Sequence, residues 1–352
     1  GIQPDLAIAL EAQDLSYHFE GFDIENVAGL VLSSTVQNNL FQLPAPRHLV
    51  FSGSNLVDNW VFQCLGEHGT LPSGGSVANN ALSLATAWKC DPIIFVGQDL
   101  ALTGGKFYAA SSVDGDMAVE MAADKRTFST TNYSTGYKAL ENINGAEKSP
   151  DTPLIEVDGF YGDKVFTTGQ FNIYRRWFES AAAYYPDTRM WNCTEGGAYI
   201  EGMEHIPLAE AIERISDQRV DVKSALDQAW ADIDWTERKE RMTAAADVLH
   251  KSLKECVTLA KRCMSLVDKA RTSTNAMRKL HATEKKLITV MQPIIFISQV
   301  QQAAIREITS DSKTTKDVQE MLDLSKRLYR LVLDAEHYAL GPLENALRKL
   351  TS

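Results

Sequence analysis

The segment Ser73-Gly74-Gly75-Ser76 has the residue types of a turn that binds an anion. Apolar residues with helical spacing follow it, from Val77 to Trp88, so Ser73 or Ser76 is expected to cap the N-terminus of a helix. The first N–H groups of a helix have no acceptor within it and carry partial positive charge, which suits a phosphate or a carboxylate. Because glycine has no Cβ, such a ligand would lie directly on the backbone at Gly74 and Gly75. The alternative is a plain strand-to-helix turn in which glycine supplies a positive φ.

Polar residues follow several of the apolar runs that predict β-strands. The candidate strands span residues 6–10, 28–34, 48–53, 92–97 and 189–193. The first four are apolar on both faces, as buried parallel strands are. Ligands of open α/β sheets bind at the carboxyl ends of the strands, so the polar residues found there are candidate binding residues. They are Glu11 and Asp14 after the first strand, Gln98 and Asp99 after the fourth, and Thr194, Glu195, Gly196 and Gly197 after the fifth.

The chain is predicted to form two domains. Residues 1–205 alternate apolar runs with helical stretches, which predicts an α/β domain with a mostly parallel sheet. Within it, residues 103–165 are interpreted as an insertion over the sheet edge, either a lid or an acceptor-side loop. Residues 155–168 predict a hairpin that turns at Gly159 to Gly162.

Charge differs between the two parts of the chain. Residues 1–205 hold 11 Lys and Arg against 25 Asp and Glu, a formal charge of −14, whereas residues 206–352 hold 24 against 21, or +3. The acidic front part does not favour a nucleic-acid partner, which would require a clustered basic face. An anion bound there would depend on backbone N–H groups and a few local cations.

Residues 206–352 have the pattern of an all-α helical bundle domain. Nine mostly small residues follow 4-3-4-3 spacing, a heptad seam that favours close antiparallel packing. They are Met242, Ala246, Leu249, Leu253, Cys256, Ala260, Cys263, Val267 and Ala270. A second helix is expected from about Ala276 to Ile308 with a kink at Pro293, and a third from Thr315 to about Tyr338, ended by Gly341-Pro342.

The cysteines and the hydropathy of the chain indicate the cellular compartment in which the protein is expected. The five cysteines form no C-x-x-C pair and are predicted to be reduced, mostly buried thiols of a cytoplasmic protein. No apolar stretch approaches the roughly 20 residues of a membrane span, and a signal peptide is not expected.

Three stretches resemble the motility-associated factor (Maf) glycosyltransferases, a family overlapping with the MptE-like, or 6-hydroxymethylpterin pyrophosphokinase-like, domain. They are PDLAIALEAQD (4–14), PSGGSVANNALSLATAWKCDPIIFVGQDLAL (72–102) and NCTEGGAYIEG (192–202). The resemblance covers about residues 1–205 and implies a Rossmann-like, sialyltransferase-like fold. It implies transfer of a nonulosonic acid, of the pseudaminic, legionaminic or sialic type, from a CMP-activated donor to Ser or Thr of flagellin, for flagellum assembly and motility. No cofactor besides this donor is implied.

The resemblance also suggests roles for the candidate residues. Ser73, Gly74, Gly75 and Ser76 would cradle the donor's anionic groups, and Thr194, Glu195, Gly196 and Gly197 would lie at the nucleotide, together with Glu11, Asp14 and Gln98. The transfer needs a base for the acceptor hydroxyl. Asp99 would be that base, orient a ribose, or simply cap the next turn. His68 and His205, which flank the two glycine-rich segments, are the other candidates, against surface or structural roles.

Two further motifs have competing interpretations. Arg175 or Arg176, near the start of the predicted YRRWFES helix, would pair with the substrate carboxylate or form a salt-bridged helix face. Asp114-Gly115-Asp116 has the spacing of a D-x-D metal clamp but is predicted to be a solvated loop, so no metal site is expected.

Family members have a βα unit with a Gly-x-Gly-Pro-Ser loop upstream of a stretch like Gly1 to Asp5. Because the sequence begins at Gly1, its nucleotide site is expected to be incomplete, which counts against activity of this polypeptide alone. Two alternatives stay open. One is Mg²⁺-dependent pyrophosphate transfer from ATP to 6-hydroxymethylpterin, which the scarcity of Arg and Lys near the motifs disfavours. The other is a non-enzymatic flagellin-binding scaffold.

Overall fold

The computed structural model shows two compact units. One consists of residues 1–53 and 69–228 and the other of residues 54–68 and 229–352. The described residues are 2–52, 55–66, 71–106, 108–109, 112, 115, 117–131, 151–215, 220–291, 294 and 317–351.

The strands of the described residues all lie in the first unit. They are β1 (Leu6–Ala9), β2 (Gly29–Ser33), β3 (His48–Phe51), β4 (Ile93–Phe95), β5 (Ala118–Met121), β6 (Thr127–Thr131), β7 (Thr152–Asp158), β8 (Lys164–Thr168), β9 (Met190–Asn192) and β10 (Glu204–His205). The helices are α1 (Leu56–Leu65), α2 (Val77–Ala87), α3 (Gly169–Tyr184), α4 (Leu208–Arg214), α5 (Val222–Ala231), α6 (Trp235–Ala270), α7 (Thr274–Met291), α8 (Val318–Ala335) and α9 (Gly341–Thr351).

All five predicted strands are present, as β1, β2, β3, β4 and β9. They pair in parallel, but their hydrogen bonds form two three-stranded sheets, in the orders β1-β2-β3 and β10-β9-β4. The central strand β2 is buried along its whole length, as a parallel strand covered on both faces is. The first unit is therefore a mixed α/β unit with parallel pairing.

The inserted segment forms an antiparallel sheet of four strands in the order β5-β6-β7-β8. The predicted hairpin is confirmed as β7 and β8, with Leu154 opposite Thr168 and Asp158 opposite Lys164. Its tip bonds to the segment after β9, because Gly197 O accepts the Phe160 N–H at 2.9 Å.

The second unit is built around α6, whose 36 residues contain the predicted seam. Eight of the nine seam residues are buried, from Ala246 to Ala270, and the seven from Leu249 onward belong to one core cluster with residues of α7 and α8. Lys326 of α8 forms an ion pair with Asp268 of α6 at 2.8 Å. Although α1 falls between two strands of the first unit in sequence, it belongs to this unit, and its Trp60 packs on the same core.

The predicted end of the third long helix is wrong. The helix α8 ends at Ala335, a π-helical turn follows from Glu336 to Leu340, and Gly341 begins α9. Pro342 is tolerated there because the first turn of a helix does not need its N–H groups for internal bonds. The second predicted helix begins with α7, and its expected continuation through Pro293 lies outside the described residues. No described helix has both the length and the apolar character needed to cross a bilayer.

Candidate functional site

A pocket in the first unit lies at the N-termini of two helices. It has a volume of about 790 Å³ and is lined by the starts of α2 and α3, by residues that follow β1 and β4, and by the inserted strands. The residues from the two helix starts are Gly75, Ser76, Val77 and Ala78, and Thr168, Gly169, Gln170 and Phe171. Two members of the predicted cradle, Gly75 and Ser76, therefore line a pocket.

Ser76 is the N-cap of α2, one of the two positions expected from the sequence. Its Oγ accepts the Asn79 N–H at 3.2 Å and donates to Asn79 Oδ1 at 2.9 Å. Within the described part of the chain, the first two amides of the helix, at Val77 and Ala78, have no protein acceptor. Both residues line the pocket, so their N–H groups remain available to an anion.

Side-chain hydrogen bonds hold the turn that precedes α2. Ser73 Oγ donates to Asn80 Oδ1 at 3.1 Å and accepts the Gly75 N–H at 3.4 Å. Ser83 Oγ donates to Pro72 O at 2.5 Å. Because Asn80 and Ser83 are buried, these bonds are shielded from water and fix the shape of the turn. Ser73 thus bonds within the protein and does not line the pocket.

The protein's own packing requires both glycines of this turn. A Cβ on Gly74 would lie 2.6 Å from Trp177 Cδ2 and 2.6 Å from Asn79 Oδ1. Gly75 has a φ of +92°, and a Cβ there would lie 3.2 Å from Tyr174 Cε1. The φ of Gly75 agrees with the alternative interpretation, a turn in which glycine supplies a positive φ. Gly74 lacks a Cβ because the indole ring of Trp177 occupies that space.

A second helix begins at the same pocket, and its start differs from the prediction. The helix α3 begins at Gly169, five residues before Tyr174, and Thr168 Oγ1 caps it by accepting the Phe171 N–H at 3.0 Å. Gln170 Nε2 donates to Tyr174 Oη at 2.5 Å across the first turn. The sequence pattern assigns Thr168 to the hairpin, although a threonine followed by a helical stretch is also an N-cap signal.

Two of the polar strand-end residues line the pocket, Glu11 after β1 and Gln98 after β4. Asp14 does not line it. Its Oδ1 accepts the Ser16 N–H at 2.9 Å and an Asn39 Nδ2–H at 2.7 Å, and these bonds, those from Ser16 most of all, hold the pKa of its carboxyl below the usual value. Asp14 therefore ties two loop segments together.

The glycine-rich segment after β9 packs against the residues that follow β4 and does not line the pocket. Its members are Thr194, Glu195, Gly196 and Gly197. Thr194 Oγ1 accepts the Gln98 N–H at 2.9 Å, and Glu195 Oε1 caps α4 by accepting its first N–H at 2.8 Å. A Cβ on Gly197 would overlap the backbone of Asp99. This segment therefore positions Gln98, which does line the pocket.

The imidazole of His205 is held by hydrogen bonds and a ring contact within the protein. Its Nε2 accepts the Ile200 N–H at 3.2 Å, so Nδ1 carries the proton and donates it to Met203 O at 3.0 Å. The ring stacks on Tyr199 with centroids 4.2 Å apart. Burial lowers the pKa of this imidazole. Both ring nitrogens are therefore used within the protein, and His205 does not line the pocket.

Of the other two candidate bases, Asp99 belongs to the described residues and His68 does not. Asp99 follows β4, where its Oδ1 accepts the Thr103 hydroxyl at 3.5 Å and its backbone O accepts the Ala198 N–H at 2.7 Å. Its side chain thus bonds within the turn that follows the strand, and it does not line the pocket. His68 lies outside the described residues.

Arg175 is engaged by the protein itself. Its Nη1 donates to Glu179 Oε1 at 2.5 Å and to Tyr199 O at 3.3 Å, while its Nε and Nη2 donate to Asn172 Oδ1 at 3.2 and 3.0 Å. Arg176 is exposed, and neither arginine lines the pocket. The arrangement around Arg175 matches the alternative of a salt-bridged helix face.

The charges around the pocket are few. Among the described residues that line it there is no Lys, Arg or His, and Glu11 is the one acid. An anion would therefore be held chiefly by backbone N–H groups. Across the part of the chain that the structure describes, no group of three or more His, Cys, Asp or Glu residues could hold a metal ion, and Asp114 and Asp116 lie outside that part.

Comparison with known proteins gives one family match and one structural similarity. Residues 1–105 match the family described as 6-hydroxymethylpterin diphosphokinase MptE-like, so the N-terminal part of the chain is similar to that family, as its motifs predicted. The chain is also similar to the structure of a MAf glycosyltransferase from Magnetospirillum magneticum AMB-1, with 14% identity and a TM-score of 0.44. That similarity covers 100% of this chain and 49% of the other, so the chain spans about half the length of that structure. No curated protein matches the sequence.

Proposed function

We propose that the pocket at the starts of α2 and α3 binds the anionic groups of a nucleotide-activated sugar, and that the protein is a glycosyltransferase whose first unit is Rossmann-like. The observation that carries this proposal is that two helix N-termini line one pocket. Each N-terminus is equivalent to roughly +0.5 of an elementary charge. Two of them together favour a ligand with two anionic groups over a neutral sugar.

The proposed donor is a nonulosonic acid, of the pseudaminic, legionaminic or sialic type, activated with CMP. Such a donor carries one phosphate and one carboxylate, so each helix start would receive one anionic group. The small number of charged side chains around the pocket also supports a monophosphate, because a triphosphate is bound in other enzymes with Mg²⁺ and cationic side chains. The MptE-like match over residues 1–105 includes Gly75, Ser76 and Gln98.

The proposed acceptor is a Ser or Thr hydroxyl of flagellin, and the proposed base is Glu11, the acid that lines the pocket. In the transfer, the acceptor oxygen forms a bond to the anomeric carbon while the bond from that carbon to the phosphate oxygen breaks. CMP leaves with the electron pair, and Glu11 takes the hydroxyl proton. Glycosylation of flagellin would place the protein in flagellum assembly and motility, in the cytoplasm.

A second candidate function is favoured by the description of the matched family. It is pyrophosphate transfer from ATP to 6-hydroxymethylpterin, which would need Mg²⁺ at the pocket. Glu11 is the carboxylate that would be available to such an ion among the described lining residues.

Isothermal titration calorimetry on the full chain separates the two functions. We expect CMP to bind in the presence of EDTA. Binding of ATP that requires Mg²⁺, with no binding of CMP, would instead support the pyrophosphokinase. Binding of flagellin with neither nucleotide would leave a scaffold as the function.

A pair of N-cap variants tests the site itself. Thr168→Ala removes the cap of α3 at the pocket. The control, Asp234→Ala, removes the cap of α6, where the Asp234 side chain accepts the Glu237 N–H at 2.9 Å. Each should lower stability by about 1 kcal/mol, because a capping hydrogen bond is lost. Only Thr168→Ala should weaken CMP binding, by roughly fivefold to tenfold. Equal CMP affinity in both variants would exclude the start of α3 as the phosphate site.

A further inference from the structure

The residues that line the pocket differ in chemistry according to the elements that carry them, and we call the apolar residues of the inserted strands and their flanks the apolar end of the pocket. The two helix starts supply backbone N–H groups to the pocket, and Glu11 supplies a carboxylate. The inserted strands and their flanks contribute six lining residues, four of which are apolar. They are Met117, Phe128, Thr130, Thr152, Pro153 and Ile155. An amphipathic ligand would therefore match the pocket better than a uniformly polar one.

Burial differs within this apolar end. Met117 and Phe128 are only 3% and 4% exposed, so their side chains are fixed in the protein core. Ile155 of β7 is 37% exposed and so presents free apolar surface at the pocket. A flat ring that covered Ile155 would remove apolar surface from water.

We propose that the inserted strands β6 and β7 hold the heteroaromatic base of the nucleotide, while the helix starts hold its phosphate. This inference rests on the proposed function, and it assigns the base to a part of the chain that lies outside the sequence motifs. The glycine-rich segment after β9 is already occupied by Gln98, Asp99 and the first N–H of α4, and it does not line the pocket. The insertion thus recognises the nucleotide, and its role differs from that of a lid or an acceptor-side loop.

The test compares two probes that share a phosphate but differ in the base, CMP and ribose 5-phosphate. In the unmodified full chain, calorimetry should show CMP binding about tenfold more tightly than ribose 5-phosphate, because only CMP covers the apolar end. Ile155→Asn should reduce this ratio to about twofold without changing the affinity for ribose 5-phosphate. The matched control is Ile173→Asn on α3, which is 64% exposed and does not line the pocket, and which should leave the ratio unchanged.

A second measurement does not depend on any variant being folded. In saturation-transfer NMR on the unmodified chain, the H5 and H6 protons of the cytosine ring should receive more saturation than the ribose protons. Less saturation on the ring would overturn the inference, and so would parallel weakening of both probes by Ile155→Asn. Either result would leave the anion site intact. Failure of the unmodified chain to bind either probe would overturn the proposed function together with this inference.

Discussion

Gly74 lies directly against the indole ring of Trp177. A Cβ at this glycine would come within 2.6 Å of Trp177 Cδ2. Gly74 belongs to the turn before α2, and Trp177 belongs to α3. Their contact therefore packs the turn before α2 directly against α3.

Gly74→Ala should destabilise the first unit. The added methyl group would overlap Trp177 and Asn79, and overpacking of this kind typically costs about 1–3 kcal/mol. The control is Gly341→Ala, since Gly341 begins α9 and a Cβ there would meet no atom within 4 Å. That change should raise stability by about 0.5–1 kcal/mol. Urea denaturation measures both, and a Gly74→Ala variant as stable as the parent would contradict the packing.

Glu11→Gln should slow sugar transfer if Glu11 takes the acceptor proton. A glutamine keeps the size of the side chain but cannot accept the proton, so kcat should fall by roughly 10²- to 10⁴-fold while CMP affinity stays unchanged. Asp14→Asn is the matched control, because Asp14 follows the same strand but bonds to Ser16 and Asn39 away from the pocket. Equal rates for Glu11→Gln and the parent chain would exclude Glu11 as the base.

The stability of the first unit should depend on the protonation of His205. Burial lowers its pKa in the folded state below the ordinary value of 6.5, so the unfolded chain binds the proton more readily. Its contribution to stability is therefore fully present above about pH 6.5 and is lost as the pH falls through the lower, folded pKa. Protonation would also break the bond from the Ile200 N–H to Nε2.

Urea unfolding at pH 7.5 and pH 5.5 checks this behaviour. The parent chain should lose more stability between the two pH values than a His205→Gln variant, which has no imidazole to titrate. The same loss in both would show that other groups carry the pH dependence.

The cysteines should differ strongly in their reaction with iodoacetamide. Cys256 and Cys263 are buried in the seam of α6, and burial raises the pKa of each thiol to about 11. Since the thiolate is the reactive form, neither should be alkylated at pH 8 in the folded protein. Cys90 is exposed and should react first. Mass spectrometry after timed alkylation measures the order, and early labelling of Cys263 would contradict the packing of α6 with α7 and α8.

Regular patterns in the sequence predicted the elements whose cause is local. The strands β1 to β4 follow from apolar runs, β9 from a shorter run that ends in polar residues, and the hairpin from turn residues between two strand-like stretches. The seam of α6 follows from heptad spacing, which identifies the buried face of a helix without knowledge of its partners. The capping preference of serine narrowed the N-cap to Ser73 or Ser76, and the structure shows that it is Ser76.

The features that the sequence could not show depend on residues distant along the chain. Nothing near Gly74 indicates that Trp177, about a hundred positions later, fills the space beside it. The environment of His205 depends on the N–H of Ile200 and the ring of Tyr199, which only a folded loop brings together. The capping role of Thr168 was missed because this residue both ends β8 and caps α3, and the sequence pattern was assigned to the strand.

That shared residue has a mechanical consequence. Since β8 ends at Thr168 and α3 begins at Gly169, no residue is left between them to act as a hinge. The strand is also clamped to the segment after β4, where Thr167 Oγ1 donates to Leu100 O at 2.6 Å and the Leu102 N–H donates to Phe166 O at 2.8 Å. Any displacement of the hairpin would therefore move the start of α3 by a similar amount.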